Sequence, residues 1–187
     1  LDGNGFLATI HLRNSSYLHL EGLALTNNGG PAQPGQPENQ RYGIFLENTF
    51  NDGTVFSGYT FRDLSFRNIF PTLPLSDDDM AGIDGNAFFS SNSAGSPFPL
   101  RFDSLLIEDC YLTRTARHAI KLRSVGHLTI RNNLLEQIGG AGILVGGNCR
   151  HVLVEGNTTD HTGSSIDPRM AGRGSGLWTF SATDVVV

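Results

Sequence analysis

Five ionisable side chains sit beside short apolar runs that begin on a small residue. Glu47 follows Gly43-Ile44-Phe45-Leu46, and Asp84 follows Gly82-Ile83. Lys121 and Arg123 alternate with apolar residues in Ala119-Ile120-Lys121-Leu122-Arg123, and His118 stands just before that run. Brought together, these groups suit two reactions. A base with nearby cations removes a proton α to a carboxylate, with Lys121 or His118 as base and Lys121 and Arg123 neutralising the anion. Two carboxyls about 6.5–9.5 Å apart cleave an acetal with inversion, a pair that Glu47 and Asp84 could supply. Trp178, Phe45 and Phe180, with Asn86 and Arg173 among the polar residues around them, would instead make stacking platforms for binding alone.

The elements that would position these residues repeat. One signature is the small residue plus apolar run, at Thr9-Ile10-His11-Leu12, Gly43-Ile44-Phe45-Leu46, Gly82-Ile83, Ala119-Ile120-Lys121-Leu122, Gly142-Ile143-Leu144-Val145 and Gly176-Leu177-Trp178-Thr179. The other is a period-2 stretch ending in a polar turn: Leu18-His19-Leu20-Glu21-Gly22, Leu105-Leu106-Ile107-Glu108-Asp109, Leu128-Thr129-Ile130-Arg131-Asn132-Asn133 and Val152-Leu153-Val154-Glu155-Gly156-Asn157. Tyr59-Thr60-Phe61-Arg62-Asp63 is a looser copy, and Val185-Val186-Val187 begins a last one. Ile10, Ile44, Ile83, Ile120, Ile143 and Leu177 are separated by 34, 39, 37, 23 and 34 residues. The shortest interval is one tight solenoid coil, and the longer ones carry insertions at Gly30–Arg41, Phe70–Met80, Ser90–Arg101 and Ser164–Arg173. Short alternating runs bounded by Gly, Asn and Asp read as strand and turn. Asn133 and Asn157 fall at equivalent positions and predict an asparagine stack between coils.

Taking each Ile or Leu as the inward residue, the residues one and three positions later face outward. Stacked coils then predict one outward column of His11, Phe45, Asp84, Lys121, Leu144 and Trp178. A second column holds Arg13, Glu47, Asn86, Arg123, Gly146 and Phe180. Asp84 would lie beside Lys121, with Glu47 and Asp84 on a diagonal of about 8 Å. The same residues have a plainer reading. Charges outside a solenoid face water, Asp84–Lys121 would then be an ordinary surface pair, and His118 would cap a corner.

Composition narrows the class. Glycine is 23 of 187 residues, about 12% against a usual ~7%, while charged residues at 17% fall below the usual ~25%. A coiled coil is excluded, and abundant Phe, Leu, Ile and Val exclude disorder. No apolar run approaches the ~18 residues of a membrane span. A net charge of −5 with scattered Lys and Arg gives no basic stripe for nucleic acid. Cys110 and Cys149 fall too far apart along the solenoid to bridge. His11, His19, His127, His151 and His161 show no metal-ligand spacing, so no metal set is assigned. The acidic run Ser76-Asp77-Asp78-Asp79-Met80 is a solvated turn or, less simply, a Ca²⁺ position.

The runs His118-Ala119-Ile120-Lys121-Leu122-Arg123…Leu128-Thr129-Ile130-Arg131-Asn132-Asn133 and Gly142-Ile143-Leu144-Val145…Val152-Leu153-Val154-Glu155-Gly156-Asn157 resemble the right-handed parallel β-helix, or pectate-lyase-like, superfamily. Leu1-Asp2-Gly3-Asn4-Gly5 and Gly172-Arg173-Gly174-Ser175-Gly176-Leu177-Trp178 resemble segments of its bacterial members. The resemblance implies an all-β, single-domain right-handed parallel β-helix over residues 1–187, of about five to six coils and cut from a longer solenoid. It further implies a secreted or periplasmic carbohydrate-active protein, a glycoside hydrolase or polysaccharide lyase, whose partner is a poly- or oligosaccharide. No cofactor is implied beyond the Ca²⁺ that some such enzymes use. The fold also hosts epimerases and tailspikes, so a non-catalytic glycan-binding or structural solenoid of tailspike or adhesin type stands as the alternative.

Overall fold

The computed structural model describes residues 1–73, 83–91, 99–168 and 174–187. Three parallel sheets run along a common axis. The first contains β1 (Ala8–Arg13), β4 (Gln40–Glu47), β7 (Asp84–Ser90), β10 (Ile120–Arg123), β13 (Ile143–Gly146) and β16 (Leu177–Phe180). The second contains β2 (Leu18–Glu21), β5 (Phe56–Arg62), β8 (Phe102–Glu108), β11 (Val125–Arg131), β14 (Arg150–Glu155) and β17 (Thr183–Val186). The third contains β3 (Ala24–Asn28), β6 (Ser65–Phe70), β9 (Tyr111–Thr115), β12 (Leu134–Ile138) and β15 (Thr158–Thr162). Each strand pairs with the strand three places on, so every third element closes one coil. The molecule is a parallel β-helix of about six coils.

Inward side chains of all three sheets form one core. Ile44, Phe88, Ile120 and Ile143 line it from the first sheet, Tyr59, Leu105, Leu128 and Val152 from the second, and Phe66, Leu112 and Leu135 from the third. The small residue of the first signature has a packing cause. A Cβ on Gly43 would lie 2.6 Å from the Phe66 ring and 2.7 Å from the Ala87 carbonyl oxygen. Ala87 with Phe88, and Ala119 with Ile120, are likewise consecutive core residues. Two successive inward positions bend the strand where it enters the first sheet, and only a small side chain fits the first of them.

The polar turns work by backbone conformation. Gly22, Asp63, Asp109, Asn132 and Gly156 stand in one column between the second and third sheets, all left-handed, with φ of 66, 49, 55, 55 and 62°. Asn, Asp and Gly tolerate that region best. The next position holds the expected asparagine stack. Asn133 Oδ1 accepts from the Cys110 N–H at 2.9 Å, and its Nδ2 donates to Ile107 O at 3.2 Å and to Asn157 Oδ1 at 2.8 Å. Asn133 is buried, so Asn133→Ala strands three partners. A loss of about 2 kcal/mol is expected, read as a Tm lowered by roughly 4–8 °C in a thermal melt. An unchanged melt would remove the stack from the account of stability.

Cys110 and Cys149 are both free and buried, and burial pushes the Cys149 thiol up to about 11. On the outside of the second sheet, Glu108 joins three coils by bonding Arg62 and Arg131. Those two guanidiniums hold its carboxyl below the usual carboxylate range.

Candidate functional site

Register in the first sheet decides which outward residues meet. Ile44 pairs with Phe88 and Phe88 with Ile120, so the inward anchor of the third coil is Phe88 rather than Ile83. The shift of five residues corrects both predicted columns. The first becomes His11, Phe45, Phe89, Lys121, Leu144 and Trp178. Asp84 pairs with Gln40 and Asn86 with Tyr42, both upstream of the bend, so Asn86 does not stand between Glu47 and Arg123. Phe88 wins the inward place because its ring fills the space between Phe61 and Phe66, with centroids 5.4 and 4.7 Å away.

Asp84 and Lys121 still meet, by reach across the bend rather than by stacking. Lys121 Nζ lies 2.8 Å from Asp84 Oδ2, and Arg117 Nη1 lies 2.9 Å from Asp84 Oδ1. Asp84 and Lys121 are 7% and 8% exposed, which separates this pair from an ordinary surface ion pair. Burial alone would raise the Asp84 carboxyl. Lys121 and Arg117 together outweigh it and hold the group below the usual carboxylate range. Asp84 is therefore an anion at neutral pH, already claimed by two cations.

Glu47 lies elsewhere. It is bound by His11 at 3.0 Å and Arg13 at 3.3 Å. Since Asp84 pairs with Gln40 and Leu46 with Ser90, seven strand positions separate the two carboxylates, on the order of 20 Å. The predicted diagonal of about 8 Å is not formed, and no inverting-glycosidase pair arises from these two residues.

His118 and Asn86 occupy equivalent corner positions in successive coils, and each serves the coil above. Asn86 Oδ1 accepts from the His118 N–H at 3.0 Å, and His118 Nδ1 accepts from the Ala141 N–H at 3.1 Å. An Nδ1 that accepts must be unprotonated, which places the ring proton on Nε2. Burial, reinforced by Lys121 and Arg117, pushes the imidazole down to about 3. The corner-capping reading of His118 describes this geometry. Asn86 is fully buried, and among the described residues its Nδ2 has no hydrogen-bond partner.

Aromatic rings flank the charges. Tyr42 stacks on Phe89 at 4.5 Å, Phe45 on Phe89 at 5.5 Å, and His11 on Phe45 at 4.8 Å. Lys121 Nζ sits 5.4 Å from the Phe89 centroid. On the far side, Trp178 and Phe180 are exposed, with centroids 6.3 Å apart. Phe180 lies over Gly146, where a Cβ would come within 2.2 Å of the ring, and reaches back to the Arg123 guanidinium at 5.7 Å. Among the described residues Arg123 has no carboxylate partner, and its Nε lacks a hydrogen bond.

Sequence reasoning did not single out Tyr42, Phe89 or Arg117 for the site. Aligning Ala87-Phe88 with Ala119-Ile120, small residue then large apolar, would have found Phe89. Arg117 carried a weaker signal, as one of four cations between residues 114 and 123. Arg173 and Ser76-Asp77-Asp78-Asp79-Met80 lie outside the described residues. Among the described residues no three His, Cys, Asp or Glu side chains converge on a metal position.

The long insertions enter and leave the first sheet. Residues 29–39 join β3 to β4, 71–83 join β6 to β7, and 91–101 join β7 to β8. Buried Arg41 ties the first two together, with Nη1 on Pro37 O and Gln40 O and Nη2 on Thr72 Oγ1 at 2.7 Å.

No curated protein matches this chain at a significant level. Residues 8–185, nearly the whole chain, match the family described as a right-handed β-helix region. With three parallel sheets in continuous register over the same span, the chain belongs to that right-handed β-helix family.

Proposed function

We propose that the outer face of the first sheet binds an acidic polysaccharide, and that the protein is a polysaccharide-active β-helix working on a glycan outside the cytoplasm. The observation that carries this reading is a charge imbalance in an aromatic setting. Among the described residues Arg117 and Lys121 share one carboxylate, Asp84, and Arg123 has none, leaving two positive charges between the Tyr42–Phe45–Phe89 and Trp178–Phe180 rings. Aromatic faces take the flat apolar side of a sugar ring, and an unpaired guanidinium takes a carboxylate in a bidentate grip. From the Phe89 strand to the Trp178 strand is three steps, about 14 Å, so an extended chain suits the face better than a compact ligand does.

Of the two chemistries, uronate elimination is the better supported, since Arg123 can neutralise a substrate carboxylate and the hydrolytic carboxyl pair is not formed. Binding without chemistry is the second reading. It is favoured by the salt bridge that engages the Lys121 amine with Asp84, against burial, which lowers that amine from its usual range.

Arg123→Ala is expected to weaken binding of a polyuronate roughly tenfold, as loss of a charge-assisted hydrogen bond does, while leaving any binding of a neutral glucan or mannan unchanged. Titration calorimetry with both polymer classes reads this. Equal binding of neutral and acidic polymers, or an Arg123→Ala protein that binds polyuronate as tightly as the parent, would overturn the acidic-glycan reading. Ultraviolet absorbance from an unsaturated uronate product separates elimination from binding alone.

A further inference from the structure

On the outside of the second sheet, remote from Lys121, successive coils place His127 and His151 at one register position. Gly126 pairs with Arg150 and Leu128 with Val152, and the two histidines stand between those pairs. Both have left-handed backbones, φ 42 and 51°, so the same local bend turns both side chains off the sheet alike. Their rings are stacked, with centroids 4.9 Å apart and planes 21° from parallel.

Each ring is anchored by a carboxylate of its outer neighbour strand. His127 Nδ1 lies 2.9 Å from Asp103 Oδ1, and His151 Nδ1 lies 2.5 Å from Asp184 Oδ2. In the neutral imidazole a carboxylate on Nδ1 requires the proton there, which leaves the Nε2 lone pair available. Neither Nε2 has a protein partner among the described residues, and the side chains are 66% and 56% exposed. A carboxylate that fixes the tautomer and raises the basicity of an imidazole is the usual outer support of a metal-ligating histidine. Here two such units stand side by side.

We infer that His127 and His151 together form a two-imidazole site for a borderline divalent transition ion, completed by water, with Asp103 and Asp184 as outer-shell supports. Metal–nitrogen bonds of about 2.0–2.1 Å set two ligating nitrogens roughly 3–4 Å apart. Because each lone pair lies in its ring plane, the two near-parallel rings must swing their Nε2 edges toward each other to share an ion. Nitrogen-only ligation favours Cu²⁺ over Zn²⁺ and gives Ca²⁺ no foothold. The site is independent of the glycan-binding reading, since none of its four residues touches the first sheet.

The test is titration of tag-free protein with Cu²⁺, followed by calorimetry and by electron paramagnetic resonance, whose nitrogen hyperfine lines count bound imidazoles. One ion per chain with two coupled nitrogens is expected. His127→Ala and His151→Ala should each weaken binding at least tenfold. Asp103→Asn and Asp184→Asn should each weaken it roughly tenfold while keeping one ion per chain. His19→Ala, elsewhere on the same sheet, should bind as the parent does. A spectrum with one nitrogen, no binding tighter than millimolar, or affinity unmoved by His127→Ala and His151→Ala would overturn the proposal.

Discussion

Asp84→Ala is expected to lower the unfolding free energy by about 3–5 kcal/mol, the usual cost of breaking a buried ion pair from one side. Among the described residues the carboxylate is the one acidic partner of two cations, Lys121 at 2.8 Å and Arg117 at 2.9 Å. Its removal leaves Lys121, itself buried, with a charge and no counter-ion. Asp84→Ala/Lys121→Met should recover part of the loss, because an apolar side chain in that place needs no partner. Urea unfolding of the two proteins checks this, and a double variant no more stable than Asp84→Ala would mean that the pair is not the cause. The pH dependence has a definite sign. The folded carboxyl titrates below its ordinary range, so its stabilisation is present above about pH 4 and is lost as pH falls through the folded value. Asp84→Asn should therefore unfold with a shallower acid limb than the parent.

Phe88→Ala carries a comparable expected cost, about 3–5 kcal/mol. Phe88 is fully buried, touches the Phe61 and Phe66 rings, and pairs in register with Ile44 below and Ile120 above. An alanine there opens a cavity where all three sheets meet. Phe89→Ala, one residue on, trims a partly exposed ring on the other face and should cost less in stability. The pair of variants thus tests the register. If Phe89→Ala proved the more destabilising, the third coil would be turned by one residue and the Phe45–Phe89–Lys121 column would dissolve.

Lys121 and Asp84 show how a correct pairing can rest on a wrong register. The sequence reading put Asp84 beside Lys121 by taking Ile83 as an inward anchor, and the contact exists although the anchor is Phe88. The lysine bridges the offset because its four-carbon stem and the bend at Ala87 shorten the path. Glu47 had no such latitude: its carboxylate was assigned by register alone and lies on the order of 20 Å from Asp84. His118 was legible as a corner residue because it immediately precedes a strand, and its hydrogen bond to the Ala141 N–H is a corner contact.

Local pattern alone specified the solenoid. Period-2 alternation says which side of a strand is inward, and Gly, Asp and Asn at the corners mark left-handed backbone. Both are properties of a few consecutive residues, and the stacked Asn133 and Asn157 follow from their repetition. The register of the third coil is not local. Ile83 and Phe88 each follow a small residue, five positions apart and with long insertions on either side, so nothing nearby in the chain chooses between them. Packing chooses: the larger ring fills the space between Phe61 and Phe66, and that choice carries Phe89 onto the aromatic strip. It also sets Asp84 within reach of Arg117 and Lys121, and leaves Arg123 to Phe180.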